Sequence, residues 1–245
     1  MTRARPLGDY GTDAPWVPWL LTGIGVVYLV FAGCAFWLWD TVPTGIVFVA
    51  IGLLMGVCAA IYWHTTFRGK FAVWQEVLAG LPAPHRVLDM GCGRGAVTVM
   101  TALRFPAARV EGVDLWRSID QSGNGPDAAA ANAALNAVDD RLLFRTGDMT
   151  ALPCADASVD LVTASVSIHN IPTVTGRAQA VDEAWRVLRP GAQMVIVDIA
   201  KVREYERRLT QLGAIELSVR GAGWRMWWSG PWMATRILRA TKPAD

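Results

Sequence analysis

Hydrophobic and polar positions divide this chain into two unlike parts. From Trp16 to Trp39 no residue is charged, and the same holds from Thr41 to Trp63. At about 1.5 Å per residue, a helix of either length crosses a hydrocarbon layer of roughly 30 Å. Asp40 and Pro43 leave room for only a very short turn between them, so the pair predicts a transmembrane helical hairpin. Past Arg68 the pattern changes to short apolar runs alternating with helix-period segments. The runs predict strands at 86–90, 110–114, 142–145, 160–165, 194–197, 215–219 and 233–240. The intervening segments predict helices at 70–78, 127–137, 177–186 and 201–212. A strand–helix alternation of this kind makes an α/β fold with a mainly parallel sheet.

The ends of the hairpin agree with a membrane. Trp16, Trp19, Trp37, Trp39 and Trp63 fall near the expected interfaces, where amphipathic rings are favoured. Arg3 and Arg5 precede the first span, and Arg68 and Lys70 follow the second. Acids count little in the positive-inside rule, so both ends are expected in the cytoplasm. Gly52 and Gly56 form a G-x-x-x-G face on which the two helices can pack. A cleavable signal peptide fits poorly, because two long spans follow one another with no cleavage pattern. The expected organisation is a cytoplasmic tail at 1–15, the hairpin at 16–63, a connecting helix at 64–85 and a catalytic domain at 86–245.

The chemistry centres on the stretch VLDMGCGRG at 87–95. An apolar strand ends in Asp89, breaks at Gly91, Gly93 and Gly95, and resumes as an apolar helix. The glycines let backbone approach a ligand closely, and the N–H groups at the helix start favour a polar or anionic ligand group. Gly91, Gly93 and Ala96 also fit the looser dinucleotide pattern, which leaves a nicotinamide-dependent oxidoreductase open. Asp89 argues for a ligand with a positive amino group instead, such as the methionine part of S-adenosylmethionine. Asp114 ends the second strand about twenty residues on, the spacing of a ribose-binding acid. Asp148, after Thr146-Gly147, ends the third.

On VLDMGCGRG, VEGVD, TGDM, the strand at 160–165 and VLRPG at 187–191, the chain resembles the class I S-adenosylmethionine-dependent methyltransferases. More narrowly, it is similar to the branch containing the ubiquinone and menaquinone biosynthesis methyltransferases, over roughly 68–243. The resemblance implies a Rossmann-like, seven-stranded sheet with helices on both faces and an antiparallel last pair. It implies cofactor contacts from Asp89, Gly91, Cys92, Gly93, Gly95, Asp114, Leu115, Gly147, Asp148, Met149 and Ser165. In that family a helix ahead of the first strand often closes over the cofactor, which places Lys70 near the cofactor carboxylate.

His169 and Asn170 follow the fourth strand, at the sheet end where such folds bind ligands. His169 is the candidate general base or pocket-ordering group, since imidazole titrates near neutral pH, and Asn170 is a positioning candidate. Four tryptophans and Arg225 crowd the glycine-bounded segment 221–232. Trp224, Trp227 and Trp228 are candidates for contact with a hydrophobic acceptor or the bilayer, and equally for a satellite core cluster.

Composition adds limits. The chain has 245 residues, 53% of them hydrophobic, and a net charge of only +2, so no nucleic-acid footprint is visible. The four cysteines and three histidines are scattered without metal-ligand spacing, and free thiols suit a reducing compartment. The expected function is methyl transfer to a small hydrophobic or lipid-like acceptor, without a metal, at a membrane. A nicotinamide-dependent oxidoreductase and a non-catalytic membrane scaffold of the same fold are the remaining alternatives.

Overall fold

The computed structural model describes residues 5–244; Arg3, used above for orientation, lies outside them. Helix α1 spans Trp16–Trp37 and α2 spans Val42–His64, joined by the expected short turn. Both are long and apolar enough to cross a membrane. Their outward faces carry exposed Val26, Val30, Ile46, Leu53 and Val57, and Trp37 and Trp39 stand exposed at the turn. The helices meet through Gly25 and Gly52: a Cβ on Gly25 would lie 3.2 Å from the Gly52 carbonyl oxygen. Gly56 faces open space, so the expected G-x-x-x-G face reduces to one of its two glycines.

The connection from the apolar hairpin to the α/β domain is helical throughout 65–79. Helix α2 runs through a wide π-type turn at Thr65–Gly69 directly into α3, Lys70–Ala79. Within the turn the Lys70 N–H reaches back five residues to the Thr65 carbonyl. A turn of this kind is rare and occurs mostly as a single-turn bulge within an α-helix, frequently at functional sites. Here it turns Phe71, Trp74 and Leu78 into the core, the face that their spacing predicts.

The sheet has seven strands in the order β3-β2-β1-β4-β5-β7-β6. They are β1 Arg86–Met90, β2 Arg109–Asp114, β3 Leu142–Thr146, β4 Val159–Ser165, β5 Leu188–Asp198, β6 Ile215–Gly221 and β7 Arg236–Thr241. Strands β1 to β5 pair in parallel, and β7 pairs antiparallel with both β5 and β6. The central strands are buried on both faces, as their continuous apolar sequences require. Helices α4 Ala96–Arg104, α5 Pro126–Leu135, α6 Val174–Val187 and α7 Val202–Gln211 cover the sheet. Two helix starts differ from expectation. Asp127 sits in the first turn of α5 behind Gly125 and Pro126, without capping it. Helix α6 begins earlier because the Thr173 hydroxyl caps it, accepting from the Gly176 N–H at 3.1 Å.

The segment before α1 is not a free tail. Residues 7–14 lie across α5 and the loop at 116–125. Asn132 and Asn136 each exchange side-chain hydrogen bonds with its backbone, and Tyr10 is buried edge-on against Phe71 at 5.5 Å. The Thr12 N–H donates to the Ser122 hydroxyl at 2.8 Å, and the Ser122 N–H returns a bond to the Thr12 carbonyl.

Candidate functional site

The site begins where β1 ends. Gly91 takes φ +68°, a left-handed conformation open to glycine, and a Cβ there would lie 2.3 Å from the Ser167 Cβ. The Gly91 N–H donates to the Val113 carbonyl at 2.8 Å, tying the turn to β2. Asp89 is 1% exposed, and its two oxygens accept from Thr98 Oγ1 at 2.6 Å and Thr163 Oγ1 at 2.8 Å. Burial raises its pKa to about 6; the two hydroxyls oppose that shift and the charge of Asp114 adds to it. Asp114 closes the turn from the other side, accepting from the Gly93 N–H at 2.8 Å and the Trp116 N–H at 2.6 Å. Asp148 is exposed and accepts with one oxygen from both the N–H and the hydroxyl of Thr150.

These strand ends open onto a cavity of about 260 Å³. Asp89, Gly91, Cys92, Gly93, Asp114, Leu115, Gly147, Asp148, Met149 and Ser165 all line it, as does Lys70. Gly95 does not; it caps α4 at φ +78° and lies against Phe144, so its role is in the turn. Cys92 is buried, which raises its thiol pKa well above the ordinary value and keeps it unreactive. Asn170 lines the cavity and His169 does not. The His169 ring is turned onto Asp198, with Nδ1 2.5 Å from Oδ1. Asp198 is fully buried and also accepts from Tyr205 Oη and the Ile199 N–H. The imidazole is thus a strut between the ends of β4 and β5.

The rest of the wall comes from parts that the glycine motif does not announce. Helix α3 contributes Lys70, Phe71 and Trp74, and Trp74 Nε1 donates to Ser165 Oγ at 2.8 Å. The loop after β2 contributes Arg117, Asp120 and Gln121, and the N-terminal segment contributes Asp13. Burial raises the pKa of Asp120, with Arg117 opposing. Asp13 makes an ion pair with Lys70 at 2.7 Å and accepts from Gln121 Nε2 at 3.1 Å. Only long-range packing brings Asp13 here.

Trp224, Trp227 and Trp228 are absent from the cavity wall. Trp228 is 2% exposed, packs edge-on against Tyr62 at 5.2 Å and donates to Thr235 Oγ1, so it is a core residue. The segment that carries it clasps the π-type turn. Thr65 Oγ1 donates to the Trp227 carbonyl at 2.5 Å, and Arg225 forms a two-pronged ion pair with Glu76. A Cβ on Gly69 would lie 1.7 Å from the Arg225 carbonyl oxygen, so only glycine permits this contact. Trp224, 60% exposed, stacks on His64, and Trp232 is 66% exposed.

The donor set discriminates between ligands. Asp89, Asp114, Asp120 and Asp148 surround the cavity against Arg117, while Asp13 and Lys70 neutralise each other in their ion pair. A pyrophosphate would meet this wall at a high electrostatic cost, whereas a sulfonium with an ammonium group fits it.

Comparison with known proteins agrees. Residues 88–196 match the family described as a methyltransferase domain. The chain is 32% identical over 137 residues to a ubiquinone/menaquinone biosynthesis C-methyltransferase of Dinoroseobacter shibae, a stretch covering 55% of this chain and 51% of the relative. The chain therefore spans about half the length of the curated relatives it matches. Among solved structures, the [4+2]-cyclase SpnF is similar with a TM-score of 0.59 at 19% identity, covering 72% of this chain and 83% of that one. Geranyl diphosphate C-methyltransferase from Streptomyces coelicolor A3(2), in complex with Mg²⁺, geranyl diphosphate and S-adenosyl-L-homocysteine, is similar with a TM-score of 0.55 at 19% identity, covering 69% and 78%. Residues 88–196 thus match a methyltransferase domain, and two of the solved structures of similar fold hold S-adenosyl-L-homocysteine or sinefungin.

Proposed function

We propose that this chain is a membrane-anchored methyltransferase acting on a small hydrophobic or lipid-like acceptor. One observation carries the reading: α3, which lines the cavity with Phe71 and Trp74, is the direct continuation of the apolar helix α2. The cavity therefore lies at the base of the hairpin, where a molecule dissolved in the bilayer has the shortest path to it. Exposed Trp16, Trp19 and Phe67 surround that base, as an aromatic belt at an interface would. The names of two similar proteins, a ubiquinone/menaquinone biosynthesis C-methyltransferase and a geranyl diphosphate C-methyltransferase, also support an apolar acceptor. The fold is similar to that of a cyclase, so the cavity and not the topology distinguishes the chemistry.

In this reading Asp114 and Asp148 hold the ribose and adenine ends and Asp89 the amino end, while Lys70 stays paired with Asp13 at the cavity wall. When bound, the cofactor supplies an activated methyl group on a sulfonium. The chain's task is alignment and exclusion of water. Phe71, Trp74, Val97 and Met100 provide the dry wall, and Asn170 is the polar group of the β4 loop positioned to orient the acceptor. His169, fixed by Asp198, orders that loop. Both ends of the hairpin face the cytoplasm.

The test is incubation of the full chain in detergent with methyl-labelled S-adenosylmethionine and a membrane lipid extract. Label is expected in the organic phase. A folded, cofactor-binding protein that labels only water-soluble acceptors would overturn the acceptor class.

A further inference from the structure

The hairpin has two cytoplasmic-side ends, and each carries one half of an ion pair that lines the cofactor cavity. Asp13 stands just ahead of α1 at Trp16, and Lys70 opens α3 just beyond α2. Lys70 is nearly buried and Asp13 half-buried, so their 2.7 Å contact is shielded from solvent. Further bonds seat the segment around this pair. The Asp13 carbonyl accepts from Tyr62 Oη at 2.6 Å, and the Ala14 N–H donates to the Asp120 carbonyl at 3.0 Å. Asp9 pairs with Arg94, whose own N–H is held by Gln121. The residues contacted (Lys70, Gln121, Asp120, and Phe71 under Tyr10) are themselves cavity wall. Removing residues 7–14 would leave that wall open on one side.

We propose that residues 7–14 form a strap whose Asp13–Lys70 pair latches the cofactor cavity, so that cofactor entry and release require the base of the hairpin to part. This rests on the cavity being the cofactor site. The physical argument is that a cavity walled by a segment without helix or strand opens most easily along that segment. Its hold depends on a few side-chain bonds and one buried pair, while the other walls belong to the sheet and its helices. A latch also has a kinetic signature distinct from a ligand contact. Loosening it raises association and dissociation rates together and leaves the equilibrium constant almost unchanged. Loss of a ligand contact raises dissociation and weakens affinity to the same degree.

The experiment measures association and dissociation of labelled S-adenosylmethionine by rapid filtration on the full chain in detergent, for wild type, Asp13→Asn and Asp9→Asn. Asparagine at 13 keeps the acceptor for Gln121 and removes the charge that holds Lys70. Both rates are expected to rise about tenfold in Asp13→Asn, with Kd within about threefold of wild type. Asp9→Asn loosens an exposed part of the same strap without touching the cavity, and both rates are expected to rise about two- to threefold. Unchanged rates in both folded variants would overturn the latch. A rise in dissociation alone, with a matching loss of affinity, would overturn it too and make Asp13 a ligand contact. Wild-type protein that binds no S-adenosylmethionine would overturn the cofactor reading itself and the latch with it; Asp114→Ala, expected to weaken binding without this paired acceleration, separates the two cases.

Discussion

The two sides of the cavity are built by opposite means. On the strand side, Asp89, Asp114 and Asp148 lie at or just past the ends of β1, β2 and β3, and Asp114 is held by the N–H groups of the neighbouring turns. On the hairpin side, Lys70, Trp74 and Asp13 are placed by packing between segments far apart in the chain. The first side depends on turn geometry and the second on burial. Substitutions should therefore affect binding on one side and stability on the other.

The largest expected effect lies on the hairpin side, though not in the cavity. Trp228→Ala removes a buried indole packed on Tyr62, and loss of a large aromatic from a core costs about 3–5 kcal/mol. Thermal unfolding should shift down by several degrees. An unchanged transition would show that the 221–232 segment does not hold α2 to the domain.

Asp89 is the one strand-side acid whose effect extends to stability. Its pKa, near 3.9 in an unfolded chain, is about 6 in the fold. A raised carboxyl pKa means that the folded state favours the protonated form. The group's stabilising contribution is thus full below pH 4 and lost as pH rises through 6. Asp89→Asn, measured without cofactor, is expected to be more stable than wild type at pH 7 by up to about 3 kcal/mol, two pKa units in size. The difference should close towards pH 4. Cofactor affinity in wild type should fall as pH drops below 6, because the ammonium partner then meets a neutral acid. Equal stability of variant and wild type across this range would remove burial as the cause.

Asp114→Ala tests the purely local side. It removes the acceptor for two backbone N–H groups and for the ribose, and bonds to a charged acceptor are typically worth about 1.5–3 kcal/mol. Calorimetry should read a ten- to hundredfold loss in S-adenosylmethionine affinity. Unchanged affinity in folded protein would exclude the ribose assignment.

This contrast also explains what the sequence made legible. The strand-side site could be read residue by residue because its signals are local: acids at strand ends, glycines at positive φ, and fixed spacings along one βαβ unit. The two apolar helices could be read for the same reason. The strap could not, because Asp9 and Asp13 have no local pattern; their meaning comes from Arg94 and Lys70, far along the chain. His169 was legible as a residue near the site, but its turn onto Asp198 depends on β5 lying beside β4. The four tryptophans were legible only as a cluster. Which ring is core and which is surface depends on how the segment wraps the π-type turn.

That last distinction leads to the smallest expected effect. Trp224 is exposed beside His64 at the end of α2 and Trp232 is exposed farther along the segment, while Trp228, between them in sequence, is buried. Replacing both exposed rings with serine should change stability by no more than about 0.5 kcal/mol, the usual range for surface sites. It should leave cofactor affinity intact, since neither ring lines the cavity. If the hairpin spans a bilayer, the stacking of Trp224 on His64 at the end of α2 places that ring at headgroup depth, where indoles are favoured. In reconstituted vesicles, the fluorescence lost in the double variant should then belong to the fraction quenched by lipids brominated near the glycerol backbone. If that fraction is unchanged and the lost emission is instead the part quenched by aqueous iodide, the rings stand in water. The domain would then hang from its hairpin without resting on the membrane, and the short path from bilayer to cavity would lose its support.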